Sequence, residues 1–149
     1  MTKVATLPTW PKPSTPFKIK FKVKITGPIT ATQRIISFVD NNFPQRRLPA
    51  IYFSQNGQIM SFHRCQDGKD YNAIGAWSDI TSGNYHQIKL AQEQETNGSF
   101  KIKFYINGVV KGSKIVAIPN TVYSNIDVMV AEAVNGVNYV IKDLDYGDL

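Results

Sequence analysis

A row of four lysines near the N-terminus is the part of the sequence best suited to binding chemistry. From residue 17 to residue 25 the chain alternates between apolar residues and lysines. Alternate residues of an extended strand lie ~6.5 to 7 Å apart, so the ammonium groups would form a row of charges on one face. The row predicts a site for acidic polysaccharides, although lysines also keep exposed strands from aggregating. Its members are Lys18, Lys20, Lys22 and Lys24.

A second group of candidate ligand-binding residues surrounds the turn at residues 67–70. Trp77 lies in a Gly-Ala-Trp-Ser context. Its ring is predicted to stack on a sugar, because sugar rings offer apolar faces to aromatic side chains. Burial of Trp77 in the core is equally consistent with the sequence. The members of this loop group are Arg64, Asp67, Tyr71 and Trp77.

One turn carries oxygen ligands of the kind that Ca²⁺ prefers. Asp40 is followed by Asn41 and Asn42 at the end of a predicted strand. The same three residues form a turn equally well without a metal. We therefore assign no metal ligand and no cofactor, and keep calcium as an alternative.

The elements that position these residues are predicted to be β-strands. The in–out alternation of residues 17–25 recurs at residues 100–106 and 122–130, and no long segment has a helical period. Turn signals such as Asn56-Gly57 and Asn107-Gly108 separate the short strands. This pattern predicts an all-β fold, an antiparallel sandwich or barrel. Within it, residues 34–40, apolar on both faces, are predicted to be a central strand, and residues 114–118 a short strand that stops at Pro119. The change of alternation at Leu144 and Tyr146 predicts a bulge in the last strand. Residues 1–16, with four prolines among residues 8–16, are predicted to be an extended arm, and residues 17–149 a single domain.

Composition limits the classes of function. The chain has 149 residues and a net charge of +6, which favours anionic partners. No apolar run approaches the ~20 residues of a transmembrane helix, and residues 1–8 contain no signal peptide. Cys65 is the only cysteine, which excludes an internal disulfide framework. A nucleic-acid partner is not predicted, because neither a recognition helix nor a basic–aromatic stacking platform is evident.

The order of the segments resembles the concanavalin A-like lectin/glucanase superfamily, and within it the laminin-G-like branch. Residues 35–38 (Ile-Ile-Ser-Phe) resemble the second conserved strand, and residues 85–90 (Tyr-His-Gln-Ile-Lys-Leu) the strand that a Trp-His pair normally begins. Residues 104–108 (Phe-Tyr-Ile-Asn-Gly) and 141–144 (Ile-Lys-Asp-Leu) resemble the later turn and the closing strand. Tyr85 stands where the family usually has tryptophan.

The resemblance implies a two-sheet antiparallel jelly roll in which the first and last strands are neighbours. Lys20, Lys22 or Lys24 would then lie near Asp143 or Asp145. It also implies a secreted, non-enzymatic, lectin-like domain that binds a glycan, with acidic glycans favoured by the lysine row. The alternatives are a matrix or adhesion module that binds an extracellular protein and a diverged glycoside hydrolase. Edge strands offer a route to a homodimer.

Catalysis is not predicted. Glucanases of the superfamily carry a Glu-x-Asp-x-x-Glu strand, and the three glutamates of this chain, Glu93, Glu95 and Glu132, do not form that pattern. His63 and His86 have no nucleophile-elbow sequence nearby. Segments 61–65 and 75–78 only weakly resemble galectin sugar-binding strands, so a β-galactoside site is not predicted either.

Overall fold

The computed structural model describes residues 2–9, 15–42, 49–54, 59–64, 70–73, 80, 83–116, 124–130 and 138–149. Strands make up most of these residues, and no helix occurs among them. In the same part of the chain, no segment forms a helix long and apolar enough to span a membrane. The strands are β1 (Thr2–Thr9), β2 (Phe17–Ile25), β3 (Gln33–Asp40), β4 (Ala50–Phe53), β5 (Ile59–Arg64), β6 (Asp70–Ala73), β7 (Tyr85–Gln94), β8 (Phe100–Ile106), β9 (Val109–Val116), β10 (Ser124–Val130) and β11 (Tyr139–Asp148).

The strands form two antiparallel sheets. One has six strands in the order β1-β10-β3-β4-β5-β6, and the other has five in the order β11-β2-β7-β8-β9. The apolar faces of both sheets contribute to one buried core. This arrangement confirms the predicted antiparallel two-sheet sandwich, and the predicted pairing of the first alternating strand with the last is the β2–β11 pair.

Strand alternation builds the core side of the five-stranded sheet. In β2 and β8 the apolar residues face inward, because successive side chains of a strand point to opposite faces. Burying each such side chain contributes about 1.5–3 kcal/mol to folding. The inward residues of these two strands are all buried: Phe17, Ile19, Phe21, Val23, Ile25, Phe100, Ile102, Phe104 and Ile106.

The six-stranded sheet has β3 in an interior position. This strand lies between β10 and β4, and four consecutive residues, 35–38, are buried. A register shift between Arg34 and Ile36 accommodates Ile35 as a bulge, so both Ile35 and Ile36 are buried. The apolar run on both faces predicted a central strand, and the structure confirms this position.

The last strand contains the irregularity that its sequence predicts. The register of β11 against β2 shifts between Lys142 and Asp145, and Asp143 has a φ of 55°. The change of alternation at Leu144 predicted this bulge. The shift lets β11 place acidic residues beside the lysines of β2.

Two boundaries differ from the expectation. The predicted arm, residues 1–16, includes β1, which pairs along β10 as an edge strand of the six-stranded sheet, so this part of it belongs to the sandwich. The predicted short strand at residues 114–118 belongs, up to Val116, to a longer strand, β9, whose pairing with β8 begins at Val109. Residues 117 and 118 lie outside the described part of the chain. Asn107 and Gly108 have φ values of 51° and 81°, and this tight turn returns the chain at once.

Candidate functional site

The four predicted lysines lie on the outer face of the five-stranded sheet, the face opposite the core. Residues directly opposite one another on paired strands share a face, so the register identifies their neighbours. Lys20 is opposite Lys89 of β7, and Lys22 is opposite Lys142 of β11. Lys103 of β8 lies opposite Ala91, which itself is opposite Lys18. We call the following eight residues the basic face: Lys18, Lys20, Lys22, Lys24, Lys89, Lys101, Lys103 and Lys142.

Carboxylates neutralise the two margins of the basic face. Lys18 Nζ lies 3.0 Å from Asp145 Oδ2, and Lys22 Nζ lies 3.6 Å from Asp143 Oδ2, both across the β2–β11 border. The hydrogen bond from Lys18 lowers the pKa of Asp145 below its usual value. The prediction that β2 lysines lie near these two aspartates is therefore confirmed for Lys22, which pairs with Asp143, and for Lys20, which is opposite Asp145 in the strand register. The ion pair of Asp145 itself is with Lys18.

A third ion pair lies toward the opposite margin. Lys103 Nζ is 3.0 Å from Glu95 Oε1. This hydrogen bond lowers the pKa of Glu95 and raises the pKa of Lys103. All three ion pairs are partly or largely open to solvent, which limits their contribution to stability. The basic face therefore carries eight lysines and the nearby carboxylates of Glu93, Glu95, Asp143 and Asp145.

Two tyrosines interrupt the lysines. Tyr85, 39% exposed, has the ammonium of Lys142 at 3.9 Å and that of Lys24 at 4.9 Å from its ring centroid. Lys89 Nζ lies 4.1 Å from the ring centroid of Tyr105. These are cation–π contacts, which orient the ammonium groups without neutralising them.

The hydroxyl of Tyr105 is engaged within the protein. It donates a hydrogen bond to Glu93 Oε2. Burial of the phenol, and then this hydrogen bond, raise the pKa of Tyr105 to about 12. The hydrogen bond therefore holds the ring in one orientation, and the phenol keeps its proton further into the alkaline range than an exposed tyrosine does.

A shallow depression of about 340 Å³ lies at the centre of the basic face. Its volume is near the lower end of the ~300–1,000 Å³ typical of small-ligand sites. Ammonium groups, an amide and an aromatic ring line it, so it offers hydrogen-bond donors beside apolar surface. Its lining residues are Lys18, Lys20, Gln87, Lys89, Tyr105, Gly108 and Leu149.

The two described members of the loop group lie on the other sheet from the basic face. Arg64 and Tyr71 lie in β5 and β6 of the six-stranded sheet, where the backbone register places Arg64 opposite Asp70 and Tyr71 opposite His63. Asp67 and Trp77 lie outside the described residues. The stacking role assigned to Trp77 stays a prediction.

The turn considered for calcium is stabilised by hydrogen bonds within the protein. Asp40 is buried, and its Oδ1 accepts a hydrogen bond of 2.9 Å from the backbone N–H of Asn42. The side-chain amide of Asn41 donates to the carbonyl oxygen of Asn125 at 2.9 Å. Within the described part of the chain, no group of three or more His, Cys, Asp or Glu residues is arranged to hold a metal ion.

Sequence reasoning missed four contributors to this surface: Tyr85, Lys89, Tyr105 and Lys142. Each occupies an outward position of an alternating strand, which is a detectable signal. Their assembly beside Lys20 and Lys22 depends on which strands pair and in which register, and alternation within one strand does not specify that.

The chain matches no protein-family model and no curated protein sequence. Solved structures do resemble it. The endo-β-1,4-glucuronan lyase of the fungus Trichoderma reesei aligns with a TM-score of 0.62 and 10% identity over 96% of this chain and 70% of the lyase. A heptameric SAP-like pentraxin from Limulus polyphemus aligns with a TM-score of 0.64 and 13% identity over 97% of this chain and 67% of the pentraxin.

A third similar structure is the binding domain of botulinum neurotoxin DC in complex with SialylT. It has a TM-score of 0.64 and 15% identity, and the match covers 89% of this chain and 32% of that chain. These likenesses support the jelly-roll, concanavalin A-like fold predicted from the sequence. The laminin-G-like branch stays a prediction.

Proposed function

We propose that this protein is a non-enzymatic carbohydrate-binding domain that holds acidic glycans on its basic face. The observation that carries the proposal is the concentration of eight lysines on one side of the five-stranded sheet, where four carboxylates offset only half of their charge. Acidic polysaccharides present negative charges at intervals comparable to the spacing of lysines along and across the strands.

Two of the proteins with similar structures act on a carbohydrate or are bound to one. The Trichoderma reesei lyase is named for glucuronan, which is an acidic polysaccharide. The neurotoxin domain is in complex with SialylT. These likenesses show a shared fold and not a shared ligand. The proposal of an acidic ligand therefore rests on the lysines of this chain.

The state of the carboxylates favours binding over hydrolysis. The acid catalyst of a glycoside hydrolase needs a raised pKa so that it keeps its proton. The pKa of Glu95 is instead lowered by Lys103, and Glu93 accepts the hydrogen bond from Tyr105. Glu132 lies outside the described residues.

The state of Tyr105 is also less suited to a catalytic base than to a fixed binding surface. A tyrosine base works best with a pKa near the operating pH. The pKa of Tyr105 is raised to about 12, which keeps the phenol protonated. His86 Nδ1, 2.9 Å from Asn107 Nδ2, is part of the contact that fixes the neighbouring turn.

A second candidate function is a matrix or adhesion module that binds an extracellular protein. The observation that favours it is the apolar character of β9, an edge strand of the five-stranded sheet, where Val109, Val110 and Ile115 are 56%, 48% and 65% exposed. An edge strand with such side chains can pair with another chain, including a second copy of this protein. Both candidates imply an extracellular location.

The proposed function is tested by screening the full chain on a glycan array that includes uronic-acid and sulfated polymers, with calcium and with chelator. We expect binding to acidic polymers that weakens as salt is added, because exposed charges are screened over ~10 Å at 0.1 M. A blank array in both conditions overturns the proposal and favours the protein-binding module. Loss of binding in the chelator lane alone identifies a role for calcium.

A further inference from the structure

The centre of the basic face contains an unfavourable arrangement of charges. Lys20 and Lys89 are directly opposite one another on the paired strands β2 and β7. Like charges in that position destabilise a sheet. On its other side Lys20 is opposite Asp145 of β11, but that carboxylate lies 3.0 Å from Lys18 Nζ. Among the described residues, neither Lys20 nor Lys89 forms an ion pair of its own. The repulsion between these two ammonium groups would be relieved by an anion held between them.

This lysine pair lines the shallow depression described above and does not lie on a flat surface. Lys20 and Lys89 both line the depression of about 340 Å³, and Lys18 adds a third ammonium group. A depression of this size suits a short segment of a sugar chain. The charge is therefore concentrated where a single anionic group can approach several donors.

The rest of the lining suits a sugar ring. Gln87 supplies both a donor and an acceptor for hydroxyl groups. Leu149, and the part of the Tyr105 ring that the Lys89 ammonium does not cover, supply apolar surface for the C–H face of a pyranose. The hydrogen bond to Glu93 fixes the Tyr105 ring in advance, which reduces the entropy lost on binding.

Building on the proposed function, we propose that this depression is the anchoring subsite for one uronic-acid unit of the glycan. Its carboxylate lies between the ammonium groups of Lys20 and Lys89, and its ring packs against Tyr105. The other lysines of the basic face act on the longer polymer through its overall charge. A sulfate ester would meet the same ammonium groups, so the source of the anion is decided by experiment.

The test compares a short ligand with a long one by calorimetry. The probes are a β-1,4-linked glucuronate trisaccharide, a β-1,4-linked glucose trisaccharide whose only charge is one sulfate ester, and long polyglucuronate. The variants of the full chain are Lys20→Gln/Lys89→Gln and the control Lys3→Gln/Arg34→Gln, which removes two charges from exposed positions of the six-stranded sheet. We expect the first variant to bind the glucuronate trisaccharide at least about tenfold more weakly, and the control to stay within about twofold.

A third variant, Lys89→Arg, keeps the charge and is expected to retain most of the affinity. The proposal is overturned if Lys20→Gln/Lys89→Gln binds the glucuronate trisaccharide as the original protein does, or if the original protein prefers the sulfated trisaccharide. It is also overturned if the original protein binds polyglucuronate but not the trisaccharide; the basic face then acts by charge alone and the proposed function stands. Failure to bind polyglucuronate or any other acidic polymer overturns the proposed function itself.

Discussion

The hydroxyl of Tyr139 in β11 donates a hydrogen bond of 2.9 Å to the backbone carbonyl oxygen of Arg34 in β3. The two residues belong to different sheets, so this bond joins the two layers of the sandwich at the start of β11. Tyr139 is buried, and its ring packs 5.2 Å, centroid to centroid, from that of Phe53. The last strand is therefore tied both to β2 beside it and to the opposing sheet.

Replacing Tyr139 with phenylalanine removes this bond and keeps the ring. We expect the free energy of unfolding to fall by about 1 kcal/mol, because the carbonyl of Arg34 loses its donor. Urea denaturation with fluorescence detection measures the change. Tyr85→Phe, on an exposed ring, is the control and should be neutral within about 0.5 kcal/mol. Equal stability of both variants would mean that the inter-sheet bond contributes nothing.

The hydroxyl of Tyr139 is expected to make the stability of the fold decrease at alkaline pH. Burial raises the pKa of Tyr139 to about 12 from the ordinary 10.0, and the pKa of Tyr105 is also raised to about 12. The folded state then holds these protons more tightly than the unfolded state, so their stabilisation is full below pH 10 and is lost as the pH rises through 12. Urea midpoints measured from pH 8 to 11.5 should decline at the alkaline end. The decline should be shallower for Tyr139→Phe; an identical slope contradicts the assignment.

The inward side of β2 is expected to dominate stability. Phe21 is fully buried and pairs with Ile88, itself buried in the core. Phe21→Ala should lower the free energy of unfolding by about 3–5 kcal/mol, through lost burial and the cavity left behind. Lys22→Ala, one residue further on the outer face, is the control and should cost less than about 1 kcal/mol. Comparable losses for both would contradict the assigned faces.

Lys20 is expected to weaken the fold that carries it. Lys20→Gln removes its repulsion with Lys89, so the melting temperature should rise by one to a few degrees at low salt, from a gain of about 0.2–1 kcal/mol. The gain should shrink at 0.5 M salt, where exposed charges are screened. Lys3→Gln, which removes an exposed charge of the six-stranded sheet that acts favourably on Asp127, is the control and should not raise the melting temperature. A low-salt melting temperature for Lys20→Gln at or below that of the original protein contradicts the repulsion.

Asp145 is expected to restrain glycan binding. It pairs with Lys18, which lines the central depression. Asp145→Asn frees that ammonium group, so affinity for polyglucuronate at low salt should rise about two- to fivefold. Asp127→Asn makes the same change of net charge on the six-stranded sheet, where Asp127 accepts a hydrogen bond from Thr6, and serves as the control. An equal rise in both variants would show an effect of net charge alone.

The sequence by itself determined the strands, their inward faces, and many of the turns and bulges that interrupt them. The alternation at residues 17–25 and 100–106 predicts which side chains are buried, because strand geometry leaves only two faces to choose from. The Asn107-Gly108 signal predicts the tight turn, because both positions need positive φ. The change of alternation near Leu144 predicts the bulge in β11, because an extra residue in one strand reverses which side chains face the core.

Tertiary structure alone decided which residues share the candidate site. Lys20, Lys89 and Tyr105 come from three strands, and they meet because β2, β7 and β8 pair in one particular register. A shift of one residue would turn each of these side chains to the other face. The pairing of Asp145 with Lys18 depends in turn on the bulge in β11. Register and strand order follow from how the whole core packs, and no single segment of the sequence contains that information.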